Sequence, residues 1–473
     1  MLAAIAALIC AFYFWTAYTS GPGTSYYTLL TDAFLDGNAY IPVEPAPELL
    51  ALPDPYDPAQ NAPYRLHDAS LYQGRYYVYF GPTPAFLLHL PLRAVGVHPS
   101  DALATSLFAS GGFLFAMALM LFLVRRYRPA TGLPTRVAAT LLLGLANVAP
   151  FLLRRPAVYE VAIAAGYLCL MAGLYLTLTA VLRERPSLAR LAGGSLALGL
   201  AVGARPHLIL AAPVWIWAWA RLWRAREPGL RAVVRLTAAA LVPLAICLAL
   251  LGFYNVVRFG SPTEFGASFQ LAGINTHTLD HFSFDRLVPG LFFYLLAPPH
   301  LDTVFPFAHL LPEYPGTLAP EYAAGVEPVA GFLATTPILL LALAAPVLLL
   351  VRRGFAREQT VLASVLALAG VLVLAAPILS FDGATMRYEV DVVSLLLLSA
   401  LLVGLRLQDE LRGRIVRSAA ATVAACATVV AVVFALAFSV VGYSDLLRVH
   451  HPDQYRALEQ IFTLGTAPDD DPG

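Results

Sequence analysis

Apolar residues run along this chain in long blocks separated by short polar joints. A bilayer core roughly 30 Å thick takes about 20 apolar residues of helix to cross. Blocks of that kind lie at 2–19, 103–124, 136–153, 158–182, 190–204, 206–223, 232–254, 329–351, 359–379, 390–406 and 416–442. They predict an all-α, polytopic transmembrane helix bundle with about eleven spans. The fifth and sixth blocks are short and part only at a turn around "ARPH". The first has no basic run in front of it and no clear small-residue cleavage site near "TAYTSG", so it reads as a retained anchor helix rather than a signal peptide.

Two polar stretches break the rhythm, 20–102 and 255–328, both rich in Pro, Tyr, Asp, Glu and His. Loops of that length inside a folded domain are unusual unless they carry function. Within them "YYTLLTDAFLDG", "PAFLLHLPLRAVG" and "RLVPGLFFYLLAPP" are too short or too proline-broken to span. They are expected as helices lying in the interface plane, walling a cavity open to the outside. The whole chain, 1–473, is then one integral-membrane domain with two long outer-face loops and a short outer tail at 443–473.

Charge orients this scheme. The chain has 59% hydrophobic and 13% charged residues, and its net charge is zero, so no global basic field points to nucleic acid. Its basic residues are all arginine and gather at block ends: Arg125 to Arg136, Arg183 to Arg190, Arg221 to Arg235, Arg352 to Arg357, and Arg406 to Arg417. If the first span runs inside to outside, all five groups face the cytoplasm, and merging the two short spans would break that alternation. Four cysteines, Cys10, Cys169, Cys247 and Cys426, sit inside apolar blocks with neither disulfide nor zinc spacing.

The outer loops hold the candidate chemistry. The proline-stiffened segment "DPYDPAQNAPYRLHDASLY" carries Asp54, Asp57 and Asp68. Asp54 and Asp57 also suit ordinary turns beside proline. Asp68 sits where the loop meets the membrane, ahead of an interfacial helix, and is the first choice for a general base; Asp57 is the second. Arg205, Arg258 and Arg387 come from separate parts of the chain yet fall on the same outer face. Guanidinium forks suit phosphate oxygens, although a single arginine at a helix end often only anchors its helix. His207 beside Arg205 could orient a phosphate or a hydroxyl. Glu160, inside an apolar block, is expected to face protein or water and to pair with an arginine. The tandem Arg154 and Arg155 read as anchors. Tyr77 and its neighbours Tyr72, Tyr76 and Tyr79 read first as packing residues and second as platforms for a sugar ring. No ligand cluster demands a metal.

The first span with its long loop, the run "GRYYVYFGPTPAFLLHLP", the turn "GLAVGARPHLILAAP" and the stretch "YNVVRFGSPTEFG" together resemble the GT-C superfamily of integral-membrane glycosyltransferases. Within it the likeness is to bacterial polyprenyl-phosphate-sugar enzymes related to the protein mannosyl-, aminoarabinose- and arabinofuranosyltransferases. The resemblance implies a hexosyl- or pentosyltransferase of the bacterial inner membrane and cell envelope, with a periplasmic active site. It implies a sugar donor carried on a polyprenyl phosphate, a glycan, lipid or protein acceptor, surrounding membrane lipids, and no required cofactor. On this chain it makes Asp68 the base and gives the donor phosphate to Arg205, Arg258 and Arg387, with His207 beside them. Many members carry an acidic pair directly after the first span, where this chain has Thr24 and Ser25.

The chemistry is coherent by itself. A polyprenyl phosphate leaves as a stable anion, the anomeric carbon passes through an oxocarbenium-like state, and one carboxylate activating the acceptor gives inversion. Two other readings stay open. A polysaccharide polymerase or ligase would share the lipid-linked donor, and a lipid-linked sugar transporter or flippase would place ionisable groups near the midplane of repeated, broken helices.

Overall fold

Each of the apolar blocks is helical in the structure, a computed structural model that describes residues 1–20, 25–224, 229–351 and 357–463. Thr24, Arg226, Arg352, Arg353 and the tail beyond 463 lie outside the described residues. Among the described residues seven helical segments are long and apolar enough to cross a membrane: Asp101–Tyr127, Leu133–Leu153, Val158–Val181, Leu230–Phe259, Glu358–Ser380, Met386–Glu410 and Arg414–Val441. The other four blocks fall short of that length. Leu2–Tyr18 and Leu188–Ala204 have 17 residues each, about 26 Å of helix. The block at 206–223 is a 3-10 turn, Pro206–Ala211, followed by Pro213–Arg224; the block at 329–351 is likewise broken, with its longest piece at Leu340–Val351. Strands among the described residues are confined to two short antiparallel hairpins.

The break between the two short blocks has a local cause. Arg205 precedes a proline, whose ring disfavours helical backbone at the residue before it, and Arg205 is extended at φ −143° and ψ 107°. The chain then doubles back. The indole nitrogen of Trp215 donates to Gly194 O (3.2 Å), and Arg221 reaches Val181 O (2.6 Å), at the end of the preceding long helix. The "ARPH" turn therefore separates two antiparallel segments, as the arginine alternation requires.

That alternation has a physical counterpart at one end of the bundle. Glu358 accepts from Arg126 (3.4 Å) and Arg221 (2.7 Å), and Arg128 pairs with Asp409. Three of the arginine-rich joints and the start of the helix Arg357–Ser380 thus meet. The two long loops meet each other elsewhere: Ser70 and Gln270 form an antiparallel bridge, and Ser70 Oγ donates to Gly266 O (2.8 Å). The expected short helices of the loops are present as Tyr26–Leu35, Ala85–Ala94 and Leu287–Leu296, the last two each containing a π turn.

The first loop also seats directly on the end of the helix that carries Arg205. Thr83 Oγ1 donates to Leu200 O (2.9 Å), and Gly81 lies so close to Gly203 that a Cβ there would stand 2.0 Å from the Gly203 carbonyl oxygen. Gly81→Ala is expected to destabilise the protein by about 1–3 kcal/mol through overpacking, read as a lower melting temperature in detergent. Gly229→Ala, where a Cβ meets nothing within 4 Å, should leave the melting temperature unchanged.

Candidate functional site

Asp68 is placed by a hairpin. Strands Ala69–Tyr72 and Arg75–Val78 pair through a two-residue turn, Gln73 (φ 49°) and Gly74 (φ 71°), the double positive φ that matches strand twist. Asp68 stands just before the first strand with φ 66°, a left-handed backbone that aspartate tolerates better than most side chains. Its amide donates to Leu271 O, and Leu271 N donates to Ala69 O, both at 2.9 Å. The second loop therefore holds Asp68 by its backbone. The Gln270 amide bridges the carboxylate of Asp68 (3.4 Å) and the Tyr159 hydroxyl.

The Asp68 side chain opens into a cleft of about 620 Å³ whose wall also contains Tyr26, Tyr79, Tyr159, Arg155, Glu327 and Arg387. Arg387 arrives on the turn Met386–Glu389 and is almost wholly buried. Its Nη1 lies 2.8 Å from Glu327 Oε2 and 3.8 Å from Glu160 Oε1, and its Nη2 donates to Glu327 Oε1 (3.1 Å). Arg155 donates to the same Glu160 oxygen (3.0 Å) and stacks on Tyr443 at 3.8 Å. Two cations and two anions thus share one wall, and Tyr159 and Tyr443 present ring faces to Arg387.

Burial works against charge on Arg155, but Glu160 and Tyr443 outweigh it and hold the guanidinium above its usual range. Burial, with Asp68 nearby, holds the Tyr26 phenol well above its ordinary value, and burial pushes Tyr79 up to about 12. These two tyrosines are neutral hydrogen-bonding groups at physiological pH.

A second cavity of about 130 Å³ adjoins the first, sharing Tyr79, Ser380 and Phe381 with it, and is lined by Arg205, His207 and Tyr388. Asp391 anchors both polar groups: its Oδ2 lies 3.1 Å from Arg205 Nε and 3.1 Å from His207 Nε2. The guanidinium of Arg205 also lies over the Tyr388 ring at 4.8 Å. Its Nη1 is buried without a hydrogen-bond partner among the described residues.

Of the residues singled out in the sequence, Asp68 and Arg387 share the cleft, Glu160 lies behind it as the paired acid expected, and Arg205 and His207 line the adjoining cavity. Tyr79 and Arg155, read as packing and anchor residues, also line the cleft. Arg258, Asp57, Asp54 and Tyr77 lie elsewhere. Arg258 is buried beneath the hairpin, donating to Val78 O and Asn255 Oδ1 at 2.6 Å each and stacking on Tyr254 and Phe259. It ties a long helix to the first loop instead of facing either cavity. Asp57 caps the short helix Pro58–Asn61, accepting from Ala59 N (3.0 Å) and Gln60 Nε2 (2.7 Å). Asp54 accepts from Tyr56 N and from Asn275 of the second loop, both at 2.9 Å, and so struts the two loops. Tyr77 packs edge-on to Tyr40 and against Phe259.

Two groups that hold the site, Asp391 and Glu327, went unread in the sequence, and a third, Arg155, was read only as an anchor. Arg154 is the anchor expected, bonded to Thr19 Oγ1 and Ser439 O at 2.6 Å each, but its neighbour Arg155 turns into the cleft. Asp391 carried a signal, because an acid inside an apolar block needs a partner. Glu327, one carboxylate in a long loop, carried none. Among the described residues no group of three or more His, Cys, Asp or Glu side chains is arranged to hold a metal ion.

No protein-family model matches the chain, and no curated protein matches it in sequence. The crystal structure of ArnT from Cupriavidus metallidurans bound to undecaprenyl phosphate is similar over 99% of this chain and 80% of that one, with 14% identity and a TM-score of 0.48. At that identity and TM-score the likeness assigns neither a family nor an activity to this chain.

Proposed function

We propose that the protein is a membrane glycosyltransferase that moves a sugar from a polyprenyl-phosphate donor to an acceptor hydroxyl on the outer, periplasmic side of a bacterial inner membrane. The observation that carries this reading is a single cleft lined both by Asp68, a carboxylate with no arginine partner among the described residues, and by a cationic group, Arg387 with Arg155, inside an otherwise apolar helix bundle. Buried ionisable groups in such a setting are expensive and mark function.

In this scheme the donor phosphate meets Arg387 at the cleft wall. Arg205, held by Asp391 beside His207, serves the phosphate or the neighbouring prenyl end from the adjoining cavity. Asp68 takes the proton from the acceptor hydroxyl as its oxygen attacks the anomeric carbon. The bond from that carbon to the phosphate oxygen breaks, and both its electrons leave with the polyprenyl phosphate. The configuration inverts. The developing charge on the phosphate is what the fixed guanidinium groups stabilise, and this electrostatic term is commonly the largest in such a site. Tyr26, Tyr79 and Tyr159 offer ring faces and hydroxyls to a sugar from the same wall.

Two measurements test the scheme. Asp68→Asn is expected to lower transfer from a panel of polyprenyl-phosphate sugars by about 10²–10⁴-fold, in kcat more than in KM, while undecaprenyl phosphate still binds. Asp57→Asn should stay within about twofold of wild type, as a half-buried cap residue outside the cleft would; full activity in Asp68→Asn would end the base assignment. Arg387→Ala is expected to weaken binding of undecaprenyl phosphate by about 10–100-fold, the range for a charge-assisted fork. Arg258→Ala should instead lower the melting temperature, because it leaves buried acceptors unpaired.

A further inference from the structure

Arg387 is not idle in this structure. Glu327 meets it with both oxygens: Oε1 accepts a hydrogen bond from Nη2 (3.1 Å), and Oε2 lies 2.8 Å from Nη1 as an ion pair, so the carboxylate covers the face of the guanidinium that a phosphate would take. Glu160 is fully buried and shared with Arg155, whereas Glu327 is 32% exposed and lines the cleft. Of the two carboxylates on Arg387, only Glu327 stands where water and a ligand can reach it.

The Glu327 backbone is fixed. Its amide donates to Ala384 O (2.8 Å), Val326 bridges Ala384, and Gly325 abuts Asp382 and Gly383 so tightly that a Cβ would stand 1.7 Å from the Asp382 carbonyl oxygen. Glu327 is therefore carried by the same rigid segment that presents Arg387, and any movement away from the guanidinium belongs to the side chain.

Resting on the reading of Arg387 as a phosphate group's partner, we infer that Glu327 is a resident counter-ion that occupies the phosphate position on Arg387 and is displaced by the donor, then stands beside the bound phosphate as a like charge. The two phosphates of the reaction differ in charge. The donor is a diester with one negative charge, and the released polyprenyl phosphate is a monoester carrying about −1.5 to −2 at neutral pH. A neighbouring carboxylate penalises the product more than the donor, and so it favours product release. Glu327 is in this sense a positioning and specificity-determining residue, not a catalytic one.

The test measures binding of two probes to the full-length protein in nanodiscs at pH 8: undecaprenyl phosphate and its monomethyl ester, a singly charged diester. Glu327→Gln is expected to bind undecaprenyl phosphate at least about threefold tighter than wild type, the scale of one partly exposed ion pair, with a smaller gain for the methyl ester. Glu327→Ala provides a second variant should the amide replacement not fold. Unchanged or weaker binding of the monoester by the Glu327 variants, while Arg387→Ala loses it, would make Glu327 a structural clamp and overturn this inference alone. Equal gains for both probes would also overturn it. Failure of the wild-type protein to bind either probe would overturn the proposed function and this inference with it.

Discussion

A carboxylate with no water around it must find a cation, and Glu160 finds two. Removing one partner of such a group leaves an uncompensated buried charge, a penalty of roughly 3–5 kcal/mol. Arg155 and Arg387 come from points more than two hundred residues apart, and this constraint brings their guanidinium groups to a single acid at the end of the helix Val158–Val181. Tyr443, just past the last long helix, closes over both cations. One electrostatic requirement thereby gathers three separated parts of the bundle and leaves its more exposed side facing a cleft.

The Asp68 part of that cleft is held by backbone, not by charge. Asp68 sits in a left-handed conformation at the root of a hairpin, and the second long loop bonds to the chain on both sides of it. Strained backbone of this kind persists only where the surroundings over-determine it. A fixed carboxylate and a fixed cationic group lining one water-accessible space suit a reaction in which a proton is removed at one place while negative charge grows at another. The neutral tyrosines that line the same space add surface for a ring without adding charge.

Much of the fold was legible because membrane helices announce themselves by length and hydropathy, and arginine positions order them. The turn at Arg205 was legible because Pro206 disfavours helix at the residue before it. The hairpin was less so, although "ASLYQGRYYV" has the strand-like composition and a Gln-Gly turn that signal one. For the site, topology put Asp68, Arg205, His207 and Arg387 at one shared face, and the structure divides them between two adjoining cavities. It failed for Arg258, since sharing an end of the bundle does not settle which way a side chain turns, and Val78 O draws this one under the hairpin. Asp57 and Asp54 proved to be the cap and strut that proline-rich loops ordinarily use. Arg155 was hidden by its twin, because a tandem pair looks like an anchor until one member is seen bonded to a buried acid. Glu327 has no local pattern at all; only the fold brings it to Arg387.

The most direct test of the central claim is a cryo-electron microscopy structure of the protein with undecaprenyl phosphate. The account predicts phosphate density within hydrogen-bonding distance of the Arg387 guanidinium, on the cleft side that faces Asp68, with the Glu327 carboxylate turned away. Phosphate density held at the opposite, arginine-rich end of the bundle near Arg126 and Arg221, with the cleft wall unchanged, would contradict it.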